Sequence, residues 1–116
     1  MQYLLMIYGN EAHWSTLSDA DRQAILEEYG AYTGSIHKTG HYRGGNELAD
    51  TTTATTVRVR DGKRTVTDGP FAETKEQLGG YYMIDVPGLD AALSWASRCP
   101  GATHGAIEVR PIWPMM

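Results

Sequence analysis

Two short stretches of this sequence are apolar at nearly every position, and they constrain its fold more than any other feature. They are residues 2–8 (QYLLMIY) and residues 81–86 (YYMIDV), and each is followed by a pair of turn-forming residues. Both are too short for a core helix, and a strand with one wet face would alternate polar and apolar residues. We therefore predict two strands covered on both faces, as in the middle of a sheet.

A long helix is predicted between the first of these strands and Gly40. Ser18 and Asp21 form a capping box, in which side-chain oxygens accept hydrogen bonds from backbone donors of the first turn. An apolar stripe then recurs every three or four residues and consists of Ile25, Tyr29, Tyr32 and Ile36. This stripe is expected to pack on the sheet.

The middle of the chain predicts a loop or a short irregular strand over residues 41–50, and then a hairpin followed by a short helix. Residues 51–60 become an alternating strand, the Asp-Gly pair at 61–62 favours a tight type I′ turn, and residues 64–67 form the return strand. Residues 72–78 have helix-forming composition after Pro70, and Gly79 ends this short helix. Phe71 is the one phenylalanine of the chain, and we expect it in the core because a large aromatic side chain contributes most when buried.

A second helix and a last strand complete the order of elements. The helix presents Leu89, Ala92, Leu93 and Ala96 on one face and ends at Cys99-Pro100-Gly101, and residues 107–112 alternate as a strand. The order is the ferredoxin-like βαββαβ, with a hairpin and a short helix inserted, in one α+β domain of residues 1–116. Two helices cover one sheet face, so a second copy of the chain is predicted to cover the other and form a homodimer.

Composition excludes several classes of function. Ten Lys and Arg against fourteen Asp and Glu give a net charge of -4, which argues against a nucleic-acid partner. The single cysteine, Cys99, predicts a reducing cytoplasmic setting without disulfides, and no apolar run is long enough to cross a membrane. Four scattered histidines give no ligand set, so we predict no metal, and the absence of nucleotide-binding loops predicts no cofactor.

The segment TDGPFAETKEQLGGYY at residues 67–82 resembles the signature of the YCII-related family, in the branch named for its DGPF motif. The similarity extends through residues 54–63, 84–86, 89–96 and 108–111, and so covers nearly the whole chain. The resemblance implies the dimeric α/β-barrel architecture. Relatives in the wider family and superfamily include a dehydrochlorinase of chlorinated hydroquinones, muconolactone isomerases and small cofactor-free monooxygenases.

The resemblance also implies two catalytic candidates. A His and Asp pair is proposed as the site in some YCII-related proteins, and here the aspartate corresponds to Asp68 and the histidine to His37. Asp68 would act as the general base or would orient His37; the alternative is that its carboxylate fixes the turn before Gly69-Pro70. His37 lies near the end of the first long helix, where imidazole could exchange protons near neutral pH.

Five further residues are candidates for binding a substrate, each with a structural alternative. Tyr29 and Tyr32 are core residues by default, although their hydroxyls could point into a pocket; the others are Glu73, Lys75 and Arg58, which solvent exposure also explains. The predicted function is a small cofactor-independent acid/base enzyme acting on a small polar or aromatic metabolite. The alternative is a non-catalytic ligand-binding or regulatory module, and the resemblance to some relatives implies that it would be associated with an extracytoplasmic-function sigma factor.

Overall fold

A computed structural model describes residues 1–114 of the chain. Six strands and three helices follow one another in the order β1 (Gln2–Gly9), α1 (Glu11–Trp14), α2 (Asp19–Lys38), β2 (Tyr42–Glu47), β3 (Thr55–Arg60), β4 (Lys63–Asp68), β5 (Gln77–Asp85), α3 (Leu89–Arg98) and β6 (Ala106–Pro111). Two 3₁₀ turns, Thr51–Thr53 and Pro100–Thr103, lie between them.

Four of the strands form one antiparallel sheet in the order β2-β5-β1-β6. The two strands predicted from their apolar sequence, β1 and β5, lie side by side in its centre, and Leu5 is paired with both Tyr82 and Val109. This is the strand arrangement of the ferredoxin-like fold. The predicted fold class and the central placement of both strands are therefore confirmed.

Both long helices pack on one face of this sheet and enclose the core. The core contains Tyr3, Leu5 and Ile84 from the central strands, together with residues of α2 and α3. Within it, the hydroxyl of Tyr32 donates a hydrogen bond to the carbonyl oxygen of Trp95 at 2.7 Å. The polar end of a buried tyrosine thus has a partner, and this bond also ties α2 to α3.

The predicted start of α2 is confirmed, whereas the predicted face of α3 is partly wrong. The backbone N–H of Asp21 donates to the Ser18 hydroxyl at 3.1 Å, as an N-cap requires. In α3, Leu89 and Leu93 are half exposed, and the buried face is formed by Ala92, Trp95 and Ala96. Trp95 buries more apolar surface than either leucine, so the helix turns that side toward the sheet.

The opposite face of the sheet carries no helix. Because side chains alternate along a strand, Leu4 and Met6 of β1 point to this face beside Met83 of β5. Met6 is only 8% exposed even there. The apolar character of this face agrees with the sequence pattern, and its coverage by a second copy stays a prediction.

Strands β3 and β4 form a separate two-stranded sheet, hereafter the hairpin (residues 55–68). Its turn uses Asp61 and Gly62 with φ angles of 52° and 73°, which confirms the predicted Asp-Gly turn. The radius of gyration is 16.3 Å, whereas a compact chain of this length would have about 13 Å. The hairpin therefore projects from the rest of the molecule.

Two predictions for the segment after the hairpin are wrong. Residues 72–78 form no helix; they run as bends, and Gln77 and Leu78 already belong to β5, where they pair with Gly9 and Tyr8. Pairing with β1 satisfies more backbone groups than one isolated helical turn would. Phe71 is 76% exposed instead of buried, because the chain has left the core at this point.

Candidate functional site

A cleft of about 740 Å³ opens between α2 and the ends of the central strands. Part of its wall is apolar and is formed by Ile7, Trp14, Leu17, Ile25 and Leu26. The volume lies within the range of small-molecule sites, which bind by apolar walls and a few placed polar groups.

A pair of hydroxyls forms the first polar group of the cleft. Thr33 of α2 and Tyr82 of β5 both line the cleft, and their hydroxyl oxygens are 2.6 Å apart in a hydrogen bond. The Tyr82 ring is held by edge-to-face contacts with Tyr32 and Tyr42. Burial raises the pKa of Tyr82 above its ordinary value, so the phenol keeps its proton at neutral pH and can donate it in a hydrogen bond.

Tyr29 supplies a third hydroxyl one helical turn before Thr33. Burial is the main cause that raises the pKa of Tyr29 well above the ordinary value of 10.0, so this phenol is also neutral. A Cβ atom on Gly101 would lie 2.7 Å from the Tyr29 hydroxyl oxygen, and only glycine permits this approach of the backbone. Cys99 is nearby, and burial raises the pKa of its thiol, so it is not an activated nucleophile.

The charged residues that line the cleft are all acidic or histidine. They are Glu11, Glu28, Glu47, His13 and His104, and no Lys or Arg is among the lining residues of the described chain. Glu11 is already bound, because one of its oxygens accepts the backbone N–H of Thr51 at 3.0 Å and the other accepts the Thr51 hydroxyl. Such a lining favours a neutral or cationic small molecule over an anion.

Two kinds of feature are absent from residues 1–114. No cluster of three or more His, Cys, Asp or Glu side chains could hold a metal ion there. None of the helices in the same range is both long and apolar enough to span a membrane.

Comparison with known proteins decides the family. The sequence model described as the YCII-related domain matches residues 1–116. This chain belongs to the YCII-related family. The resemblance inferred from residues 67–82 is thereby confirmed at the level of the family.

One relative and one solved structure are similar to this YCII-related protein. It is 37% identical over 114 residues to an uncharacterised protein of Rhizobium meliloti (strain 1021), and the match covers 97% of this chain and 92% of that one. Among solved structures, it is similar to the 5-chloro-2-hydroxyhydroquinone dehydrochlorinase of Burkholderia phenoliruptrix AC1100, solved in complex with 2,5-dihydroxybenzoquinone. That similarity has a TM-score of 0.58, 12% identity and coverage of 97% and 94%, and it shows a shared fold.

The sequence-predicted site residues of this YCII-related protein lie in the cleft, in the core, on the surface of α2 and around the hairpin. Tyr29 lines the cleft, and Tyr32 lies behind it in the core. His37 is exposed on α2 and stacks on Tyr42, whose ring centroid is 3.9 Å away. The remaining candidates are exposed on or beside the hairpin, away from the cleft lining, namely Asp68, Arg58, Glu73 and Lys75.

The structure does not bring the predicted catalytic pair together in one chain. Asp68 ends β4 opposite Thr55, and among the described residues no hydrogen bond or ion pair joins it to His37. Arg58 donates a long hydrogen bond of 3.5 Å to the carbonyl oxygen of Phe71, so it faces the base of the hairpin. The roles of these residues remain predictions.

Sequence reasoning missed several residues of the cleft. Thr33 and Tyr82 form its central hydroxyl pair, and His13 and His104 lie on its rim. Thr33 could have been found, because it lies four residues after Tyr29 and therefore on the same side of the helix. No local signal identifies His13 and His104, because they lie far apart in the sequence and line one cleft only in the folded chain.

Proposed function

We propose that this protein is a small cofactor-independent enzyme that transfers protons on a compact, neutral polar or aromatic metabolite bound in the cleft. The observation that supports this most directly is the set of neutral hydroxyls of Tyr29, Thr33 and Tyr82 beside the apolar part of the cleft wall. Phenols that keep their protons donate hydrogen bonds to a carbonyl or phenolic oxygen of a bound molecule. The shared fold with a dehydrochlorinase adds support by analogy.

The proposed chemistry is an isomerisation or an elimination. In both, a base removes a proton from carbon, and the hydroxyls stabilise the negative charge that develops on the substrate oxygen. In an elimination of HCl, the electrons of the broken C–H bond form the new double bond, and chloride leaves with its bonding pair. His13 and His104 are the groups on the cleft rim that could accept the proton.

The first experiment tests binding in the cleft. Hydroquinone and 2,5-dihydroxybenzoquinone serve as a neutral and an acidic probe, and binding is followed by NMR shifts and calorimetry. Tyr29→Phe and Tyr82→Phe are expected to weaken hydroquinone binding about fivefold each, since one hydrogen bond is worth about 1 kcal/mol. Tyr3→Phe is the matched control, because Tyr3 lies outside the cleft lining. Equal binding by all variants would remove the hydroxyls from the site.

Asp68 and His37 are proposed for catalysis on the family resemblance alone. Asp68→Asn is expected to abolish turnover of whichever probe reacts and to leave the fold intact. Asp61→Asn is the control, because Asp61 lies at the hairpin turn with a positive φ that asparagine also adopts. Full turnover by Asp68→Asn would show that the proton is moved by a cleft residue such as His104.

A second candidate function is a non-catalytic ligand-binding module. The exposed hairpin favours it, because an arm free of the core is suited to contact another molecule. A probe that raises the melting temperature and is recovered chemically unchanged after prolonged incubation would support this function. Release of chloride or a changed absorption spectrum of the probe would support the enzyme.

A further inference from the structure

The hairpin is a two-stranded sheet, and the outer edge of β3 is free. Within residues 1–114, β3 pairs with β4 and with no other strand. Arg60 and Lys63 flank the two-residue turn, so they form the first hydrogen-bonded pair of the ladder. Because bonded and non-bonded pairs alternate, Val57 and Val59 direct their backbone N–H and C=O groups away from β4. The side chain of Arg60 donates to the carbonyl oxygen of Val59 at 3.0 Å, which agrees with this direction.

The free edge of β3 is held out from the body. An isolated pair of strands is at best marginally stable in water, and a third strand is the usual means of stabilising it. Here the base of the hairpin is fixed, since the N–H of Gly69 donates to the carbonyl oxygen of Ala54 at 2.7 Å and Thr51 is bound to Glu11. A fixed base and an unpaired edge make β3 a template for an added strand.

The two faces beside this edge differ in chemistry. On one face, β3 presents Val57 and Val59, which are 55% and 59% exposed. On the other face it presents Arg58 and Arg60, which are exposed and form no ion pair within residues 1–114. The rest of this second face contains no carboxylate and consists of Thr56, Lys63, Thr65 and Thr67. Side chains of an added strand would alternate between the valines and the arginines.

We propose that the free edge of β3 binds an extended acidic segment of another protein, in which carboxylate and apolar side chains alternate, as a third strand of the hairpin. Main-chain hydrogen bonds to Val57 and Val59 supply affinity, and Arg58 and Arg60 select for negative charge. A second β3 strand is a poor occupant of this edge, because pairing two such edges places arginines against arginines. A nucleic acid would leave the valines and the edge N–H groups unused.

The first test uses a blocked hexapeptide that alternates glutamate and valine, and it follows the ¹⁵N NMR shifts of the full chain. The length matches the six residues of β3. One control peptide has lysine in place of glutamate. The other is N-methylated at its valines, which keeps the side chains and removes the N–H groups that would face β3. Shifts confined to the hairpin are expected, with binding about tenfold or more tighter than for either control. Equal binding of the three peptides, or no binding, would overturn the proposal.

The second test determines which edge is used. Val57→Pro removes an N–H that points outward from β3, and Val66→Pro removes the corresponding N–H of the residue opposite it on β4. Neither change removes a hydrogen bond between the two strands, since proline is tolerated on an edge. Val57→Pro is expected to weaken binding of the acidic peptide about tenfold, and Val66→Pro to leave it nearly unchanged. Cross-strand NMR contacts check that both hairpins persist. The reverse order, or equal loss in both variants, would overturn the assignment to β3.

The third test addresses the charge. Arg58→Gln and Arg60→Gln are each expected to weaken the acidic peptide about threefold. Arg64→Gln is the matched control, because Arg64 lies opposite Val59 on the valine face. Binding that does not weaken with added salt would contradict selection by the arginines.

Hydrogen exchange of the wild-type chain without peptide completes the test. The outward amides of Val57 and Val59 are expected to exchange fast and to become protected when the acidic peptide is added. Protection before any peptide is added would show that this edge is already occupied, and it would overturn the proposal. A duplex DNA that shifts the arginine signals while the peptide shifts none would also overturn it and would assign the basic face to a different partner.

Discussion

The body and the hairpin use the same kinds of apolar residue in opposite environments. Leu5, Ile36 and Ile84 of the body are fully buried, whereas Val57 and Val59 of the hairpin are more than half exposed. Both regions consist of hydrogen-bonded antiparallel strands. The difference teaches that backbone hydrogen bonds alone do not make a core, and that the hairpin keeps its apolar surface available for another molecule.

The largest expected difference lies in truncation of apolar side chains. Ile84→Ala leaves a cavity in the centre of the core and is expected to lower the free energy of unfolding by about 3 kcal/mol. Val59→Ala should change it by less than about 0.5 kcal/mol in dilute solution, because no neighbours are lost. Urea unfolding followed by tryptophan fluorescence measures both values.

The same pair of variants can contradict the contrast between a buried body and an exposed hairpin. A large loss of stability for Val59→Ala in dilute solution would mean that the hairpin packs on its own body. A loss that appears only at high protein concentration would instead show that the hairpin contacts a second copy.

An intermediate effect on the free energy of unfolding is expected at alkaline pH, and it arises from tyrosines of the body alone. The pKa values of Tyr29, Tyr32 and Tyr82 are raised, chiefly by burial, so the unfolded chain releases these protons at lower pH than the folded one. Stability is therefore unaffected below pH 10 and falls as the pH rises above it. The raised pKa of Tyr32 alone should lower the free energy of unfolding by about 1 kcal/mol at pH 11.

Tyrosinate absorbance at 295 nm, recorded beside circular dichroism, measures this effect. We expect Tyr29, Tyr32 and Tyr82 to ionise together with unfolding. In Tyr32→Phe, which also loses the bond to Trp95, the loss of stability above pH 10 should be smaller than in the wild type. Complete ionisation of all tyrosines in a folded chain would contradict the assignment.

The smallest expected effect lies at the hairpin turn. Gly62 has a φ of 73°, and alanine in this conformation costs about 1 kcal/mol. Gly62→Ala should speed hydrogen exchange of the β3 and β4 amides about fivefold and leave the melting temperature of the body unchanged. Gly62→Asn should restore most of the protection, because asparagine tolerates positive φ. A lower melting temperature would show that the hairpin and the body unfold as one unit.

Local signals in the sequence predicted the elements that depend on local chemistry. The capping box at Ser18, the Asp-Gly turn at Asp61 and the two doubly apolar strands are each encoded within a few residues. The prediction of a helix over residues 72–78 was wrong because the pairing of Gln77 with Gly9 is a long-range contact that composition does not reveal. The prediction that Phe71 is buried was wrong for a related reason, because the apolar character of a side chain does not reveal whether the core lies next to it.

The candidate site shows the same division. Tyr29 was found from the periodicity of its helix, whereas Tyr82, His13 and His104 reach the cleft from segments far apart in sequence. The resemblance identified the family correctly, and it pointed to Asp68 and His37, which no hydrogen bond or ion pair joins within residues 1–114. Local pattern thus predicts which residues face inward, and the assembled sheet determines which of them share a pocket.

Glu11 connects the cleft to the hairpin, because it lines the cleft and also binds Thr51 at the root of the hairpin. A ligand that displaced Thr51 from this carboxylate would release the root of the hairpin, so occupancy of the cleft and the position of the hairpin share one free-energy cycle.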